Sequence, residues 1–216
     1  MDSSIEYEKT IIFCVIGDKI EHQFLRSWTE IVGYCIINKI KPILTTRNVD
    51  NFVSKTQLLM PTSETNAPFG NKIEYDYVIF ISTSAICSIE SLNTILGLNK
   101  DIVSGFSLNK TNLDKTNYIV HFNHNSGENN NYDEVENAKR LLNNDQKLIK
   151  VDYVDFNLLC IKSGVLEQIK LPWFNYDGKT NDITGEVYFC NKCKENGIDI
   201  LVNLETFIPC EKKLIY

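Results

Sequence analysis

Arginine is scarce in this chain (Arg26, Arg47 and Arg140), glycine and proline number only 10 and 5 among 216 residues, and no apolar run reaches bilayer length. Low glycine and proline exclude a collagenous or low-complexity chain. The longest early apolar stretch, Ile11-Ile12-Phe13-Cys14-Val15-Ile16, is too short to span a membrane. Acidic Asp2, Glu6 and Glu8 precede it where a signal peptide would be basic. A dense basic patch is also lacking: 22 Lys+Arg against 28 Asp+Glu give a net charge of -6, which disfavours nucleic acid and anionic membrane surfaces as partners. The expectation is a cytoplasmic protein with no membrane span and no nucleic-acid partner.

Several catalytic signatures are missing too. There is no Walker sequence, no kinase set, no HExxH and no GxSxG elbow. No GxGxxG turn follows the first strand, which argues against a dinucleotide enzyme. Seven cysteines is an odd number, scattered within apolar runs (Cys14, Cys35, Cys87, Cys160), as suits reduced, buried thiols. Cys190-Asn191-Lys192-Cys193 is a CxxC without a second pair, read as one core and one surface cysteine rather than a zinc or redox site. His121 and His124 lack carboxylates in reach and read as solvent-facing.

What is present is an ordinary globular composition, 43% hydrophobic and 23% charged, long enough for one α/β domain with a real core. Residues 10–17 read as a strand buried on both faces, and 22–40 as an amphipathic helix through Phe24, Trp28, Ile31 and Cys35. Residues 42–46 read as a second strand and 49–60 as a second helix. Tyr75 to Ile81 is the clearest strand, breaking into Ser82-Thr83-Ser84, after which Ser88 is placed to cap a helix through Leu92 and Leu96. A strand at 101–107 follows. This alternation predicts a mostly parallel, mixed sheet with helices on both faces and ligands at the carboxyl ends of the strands. Those ends are Gly17-Asp18, Thr46-Arg47 and Ser82-Thr83-Ser84.

Beyond residue 107 the pattern gives a strand at 118–122, an Asn-rich loop at 123–131 and a helix near 132–143. Residues 151–161 read as extended, and Ser163 as the cap of a short helix that ends before Leu171-Pro172-Trp173-Phe174. A polar loop at 175–184, a helix at 186–196 stopped by Gly197 and a strand at 198–202 complete the chain. Trp173 has two readings, a stacking surface for a sugar or a hydrophobic staple. Asp182 and Glu186, at the start of the last helix, read either as a base or as ordinary N-terminal carboxylates.

With these segments in order, the chain resembles the GT-A-type nucleotide-sugar glycosyltransferases, especially the compact domains encoded by large DNA viruses for capsid glycan synthesis. Asp76 to Ser84, then Leu92, Leu96 and Asp101-Ile102-Val103-Ser104-Gly105-Phe106, is similar to that family's central strand, metal-binding DxD turn, helix and following strand. Residues 151–161, Leu171-Pro172-Trp173-Phe174, Gly185 to Cys190 and Gly197-Ile198 are similar to its acceptor-side block. The resemblance implies a single GT-A domain over 1–216, with a nucleotide-sugar half at 1–107 and an acceptor half at 108–216. It implies a hexosyl or deoxyhexosyl transferase that moves a sugar from a nucleoside diphosphate sugar to a glycan or glycoprotein hydroxyl. A host cytoplasm or a virion would be its location.

The resemblance also implies residue roles. Gly17, Asp18, Arg47, Lys55, Asp76, Ser82, Thr83 and Ser84 fall on the donor side, with Lys72 a further cation. Trp173 and Asp182 fall on the acceptor side, and Glu186 is the candidate catalytic carboxylate. Ser82 and Ser84 stand where the family has the two aspartates of DxD, and Cys210 where it has a late histidine. Neutral hydroxyls bind a hard cation poorly, so the expectation is no metal ligands and no divalent cofactor. An inactive glycosyltransferase-like module that binds a glycan, nucleotide or partner enzyme is the alternative.

Overall fold

In a computed structural model of the chain, residues 6–17, 19–47, 58–59, 67–112, 115–118, 120–121, 143–174 and 185–210 are described. Strand β1 (Lys9–Ile16) has almost nothing but apolar side chains, and it is buried on both sides. Ile11, Phe13 and Val15 face one side of the sheet, and Ile12 and Cys14 the other. Helix α1 (His22–Ile37) follows and buries Phe24, Ser27, Ile31 and Cys35. Its Trp28 meets Phe13 edge-on at 5.0 Å between ring centroids. Strand β2 (Ile40–Arg47) then pairs parallel with β1. The helix expected at 49–60 lies outside the described residues except for Leu58 and Leu59, both buried.

Strand β3 (Tyr77–Ser82), helix α2 (Ile89–Gly97) and strand β4 (Ile102–Asn112) follow the expected order. Ser88 caps α2, its hydroxyl accepting the Ser91 N–H at 3.0 Å. β4 runs past the expected 107 and pairs with β5 (Lys115–Tyr118). The strand expected at 118–122 is divided between β5 and β6 (Val120–His121). The extended run at 151–161 is likewise broken, into β7 (Leu148–Val151), β8 (Tyr153–Val154) and β9 (Leu158–Lys162). The break falls at Asp155, whose carboxylate accepts the Asn157 N–H and turns the chain. Helix α3 (Val165–Gln168) has Gly164, not Ser163, at its start. The Ser163 N–H instead donates to the Asp76 carbonyl at 2.9 Å. Helix α4 (Gly185–Glu195) ends at Gly197 with φ 70°, and β10 (Ile200–Cys210) extends well beyond the expected strand.

The main sheet has the order β2-β1-β3-β9-β4-β10-β7, with β5 beside β4. β2, β1, β3, β4 and β10 are parallel, while β9 and β7 run against them. One face is covered by α1 and α2, through Phe24, Ile31, Leu92 and Ile95. The other is covered by α3, α4 and the 173–174 segment, where Phe80, Phe156, Phe174 and Phe189 pack with centroids 5.0 to 5.7 Å apart. This is a mixed α/β sandwich of the Rossmann-like kind, as expected. No helix among the described residues is long and apolar enough to cross a membrane.

All seven cysteines are buried and reduced, Cys190 and Cys193 included. Cys193 therefore corrects the expectation of one surface thiol: both side chains of the CxxC point from α4 into the core. Burial pushes the thiols of Cys14, Cys87, Cys160 and Cys190 up to about 12 from 9.0. The unfolded chain loses these protons first as the pH rises, so the stability they confer is complete below pH 9 and is lost between about 9 and 12. Urea midpoints should fall steeply over that window. Replacing Cys14 and Cys160 with alanine should flatten the decline while lowering the neutral-pH midpoint, and an unchanged slope would remove the thiols as its cause.

Candidate functional site

The register across β2, β1 and β3 sets Arg47, Ile16 and Ser82 in one row at the carboxyl end of the sheet. β1 leaves that row through Gly17 at φ 150°. A Cβ there would sit 1.9 Å from Thr83 Oγ1, so only glycine fits. Thr83 is itself buried, and its N–H donates to the Ile16 carbonyl at 2.8 Å. It supports the serine turn from within. Ser82 and Ser84 are half-buried, with their hydroxyls 2.8 Å apart, and Ser84 N–H donates to Ser82 Oγ at 3.2 Å.

Two other segments, the 155–157 link and the end of β10, close on this turn. The Ser82 N–H donates to the Asn157 carbonyl at 3.2 Å, and the Ile86 N–H to the Pro209 carbonyl at 3.0 Å. Ala85 bridges Cys210. Behind Asn157 lies a polar knot that the sequence analysis did not single out. Asp155 accepts from Ser107 Oγ at 2.8 Å, from the Asn157 backbone N–H at 3.1 Å and from the Asn157 side-chain amide. The amide also donates to Ser107 Oγ at 3.2 Å. The Asp-x-Asn interruption of an apolar run was the sequence signal for this turn.

Glu186 sits in the first turn of α4. Contacts step back along α4 as the chain at 152–156 advances: Lys194 pairs with Asp152 at 3.1 Å, Cys190 meets the Val154 backbone, and Phe189 packs on Phe156. The helix therefore starts toward the Asp155–Asn157 end of the sheet, where its N-terminal dipole favours a carboxylate. Glu186 also helps hold the Cys190 thiol protonated, after burial itself.

Two expected site residues are placed elsewhere. Asp76 is at the amino end of β3, the opposite end of the sheet, where its carboxylate accepts the Thr10 N–H at 2.7 Å. It locks the starts of β1 and β3 together. Beside it is a cavity of about 420 Å³ lined by Lys9, Asn99 and Lys162, also remote from the serine turn. Trp173 is fully enclosed, 0% exposed, and its indole N–H donates to the Leu166 and Ile169 carbonyls at 3.0 Å each. It is the staple, and it offers no face to an acceptor. Asp18, Lys55 and Asp182 lie outside the described residues. Lys72 is exposed on the run entering β3 at its amino end.

A divalent cation of the kind the DxD turn implies does not fit the residues present. The turn supplies two neutral hydroxyls bonded to each other, and the carboxylate in the adjoining network already accepts three donors. Among the described residues no three His, Cys, Asp or Glu side chains are grouped to hold a metal.

No family model and no curated protein matches the chain. Among solved structures it is similar to A197 from STIV, at 13% identity and a TM-score of 0.51 over 96% of both chains. It also aligns with the inositol-1-phosphate CTP transferase from T. maritima, at 10% identity and a TM-score of 0.43, over 94% of this chain and 89% of that one. The likeness to A197 is one of fold, extending over nearly the whole chain.

The fit of Gly17 on Thr83 is directly testable. Gly17→Ala should cost about 2 kcal/mol or more through overpacking, and Thr83→Ala in the same chain should restore part of it. A urea denaturation cycle measures the coupling, and strictly additive effects would mean that the two side chains do not meet.

Proposed function

We propose that the protein is a glycosyltransferase that moves a sugar from a nucleoside diphosphate sugar to a hydroxyl without a carboxylate-held cation at the serine turn. The observation that carries this reading is the convergence of β1, β3, the 155–157 link and β10 on one turn at the carboxyl end of the sheet, with the start of α4, which carries Glu186, toward the same end. Open α/β sheets bind nucleotides at such ends. The resemblance of the strand-three and α4 segments to GT-A enzymes supports sugar transfer rather than another nucleotide chemistry.

In this reading Ser82 and Ser84 hydrogen-bond the donor diphosphate in place of a cation, while Gly17 makes room for Thr83 beneath the turn. The departing diphosphate gains negative charge, which Arg47 at the end of β2, Lys55 and the amino end of α2 would offset. In an inverting reaction the acceptor oxygen bonds to the anomeric carbon as the bond from that carbon to the diphosphate oxygen breaks. Glu186 takes the hydroxyl proton. Asp155 holds Asn157, and through its carbonyl the Ser82 backbone, so it positions the turn without touching substrate.

The closing of the Ser82 and Ser84 hydroxyls on each other favours a second reading, a module that binds nucleotide or glycan without turnover. Thermal denaturation with UDP, GDP, CMP and dTDP sugars, each with manganese and with EDTA, separates the two. Stabilisation by one nucleotide class should persist in EDTA, and stabilisation that vanishes in EDTA would overturn the cation-free site. Glu186→Gln should lower transfer by about 10² to 10⁴ while the donor-induced stabilisation remains. Turnover equal to wild type would take Glu186 out of the mechanism, and wild type no faster than a protein-free blank would leave the binding module.

A further inference from the structure

The late strand β10 changes faces part-way along. Val202 and Leu204 pack on the α3/α4 side of the sheet, yet Ile208 and Cys210, with the same parity, pack on the α1/α2 side. Its partner β4 keeps regular alternation through Ile102, Val103 and Phe106. The cause is a bulge: Asn203 lies opposite Gly105 and Phe207 opposite Phe106, so residues 204–206 have no counterpart. An odd insertion inverts every later side chain.

The bulge is a built feature. Asn203 Oδ1 accepts the Glu205 N–H at 2.8 Å and the Thr206 N–H at 3.1 Å, which pins the extra residues. Its formation leaves the Thr206 hydroxyl enclosed at 2% exposure and without a hydrogen-bond partner among the described residues, a local loss of stability. What the insertion achieves is the placement of Phe207 on the α3/α4 side, with its ring 6.5 Å from that of Phe106. Phe106 is buried while Phe207 is 46% exposed. Two residues on, the Pro209 carbonyl is tied to the serine turn through Ile86 N–H. Phe207 is thus left about half exposed two residues from the tie to the serine turn, on the side of the sheet that carries α4.

We propose that Phe207 is the platform for the acceptor, stacking on the C–H face of a pyranose ring whose hydroxyl meets Glu186. The inference rests on the glycosyltransferase reading and supplies the aromatic surface that buried Trp173 does not. Aromatic faces are electron-rich and match the polarised C–H bonds of a sugar ring. Among the described residues the other exposed aromatic side chain, Tyr7, lies just before β1 at the amino end, remote from the serine turn.

Saturation-transfer NMR with methyl hexopyranosides and methyl deoxyhexopyranosides tests the platform, and nucleotide-induced thermal shifts read the donor side in parallel. Phe207→Ala and Phe207→Leu should weaken pyranoside binding about tenfold, and Phe207→Trp should keep it. Leucine retains apolar bulk but not the ring, so it separates stacking from packing. Ile37→Ala, removing a side chain 82% exposed on α1, is the control and should leave binding as in wild type. Equal affinity in wild type and Phe207→Ala, or no pyranoside bound by wild type, overturns the platform. If nucleotide binding and transfer are seen without a Phe207 effect, only the platform falls. If pyranoside binding depends on Phe207 but no nucleotide binds and no transfer occurs, the platform stands and the transferase reading falls.

Discussion

Burial of the central strands on both faces constrains everything else in this molecule. A strand such as β1 or β3, covered by α1 and α2 on one side and by α3 and α4 on the other, has no face left for a polar side chain. In β1 and β3 the hydroxyl side chains of Thr10 and Ser82 stand where the strands begin and end. Each end then has to satisfy its own polar groups. At the amino end Asp76 does so by tying β1 to β3, and at the carboxyl end the serine turn and the Asp155 knot do so by tying β3 to β4, β9 and β10.

The two ends differ in how their charge is used. Asp76 and Asp155 both accept nearby N–H and O–H donors on their carboxylate oxygens, which fixes the backbone around them. Glu186 stands instead in the first turn of α4, where the helix dipole favours a carboxylate.

Much of this architecture is legible in the residues. The unbroken apolar run at 10–16, the helical spacing of Phe24, Ile31 and Cys35, and the abrupt change at Ser82 give β1, α1 and β3 to within about three residues. They do so because a doubly buried strand and a one-sided helix have distinct periodicities. The second half reads less well, since its strands are short and their limits are set by side-chain hydrogen bonds such as Asn157 to Asp155 and Glu205 to Asn203. Periodicity does not report such bonds. Trp173 illustrates the ambiguity for single residues: an indole beside a proline is equally suited to a ligand or to two carbonyls, and only the closeness of Leu166 and Ile169 decides. Phe207 was hidden for the same reason, because nothing in its neighbours' hydropathy marks a three-residue change of register.

The position of β9 has a consequence for how the molecule comes into being. It inserts between β3 and β4, strands joined in sequence by α2 long before it, and Ile81 pairs with Leu158. As the chain emerges from the ribosome, β1 to β4 cannot settle into their final spacing, because the slot between β3 and β4 must stay open for a strand not yet made. Sequence-distant pairing of this kind slows folding and prolongs the exposure of apolar edges. The serine turn, whose backbone is completed by Asn157, is therefore assembled among the last parts of the fold. A truncated nascent chain would carry the residues of the serine turn without its shape.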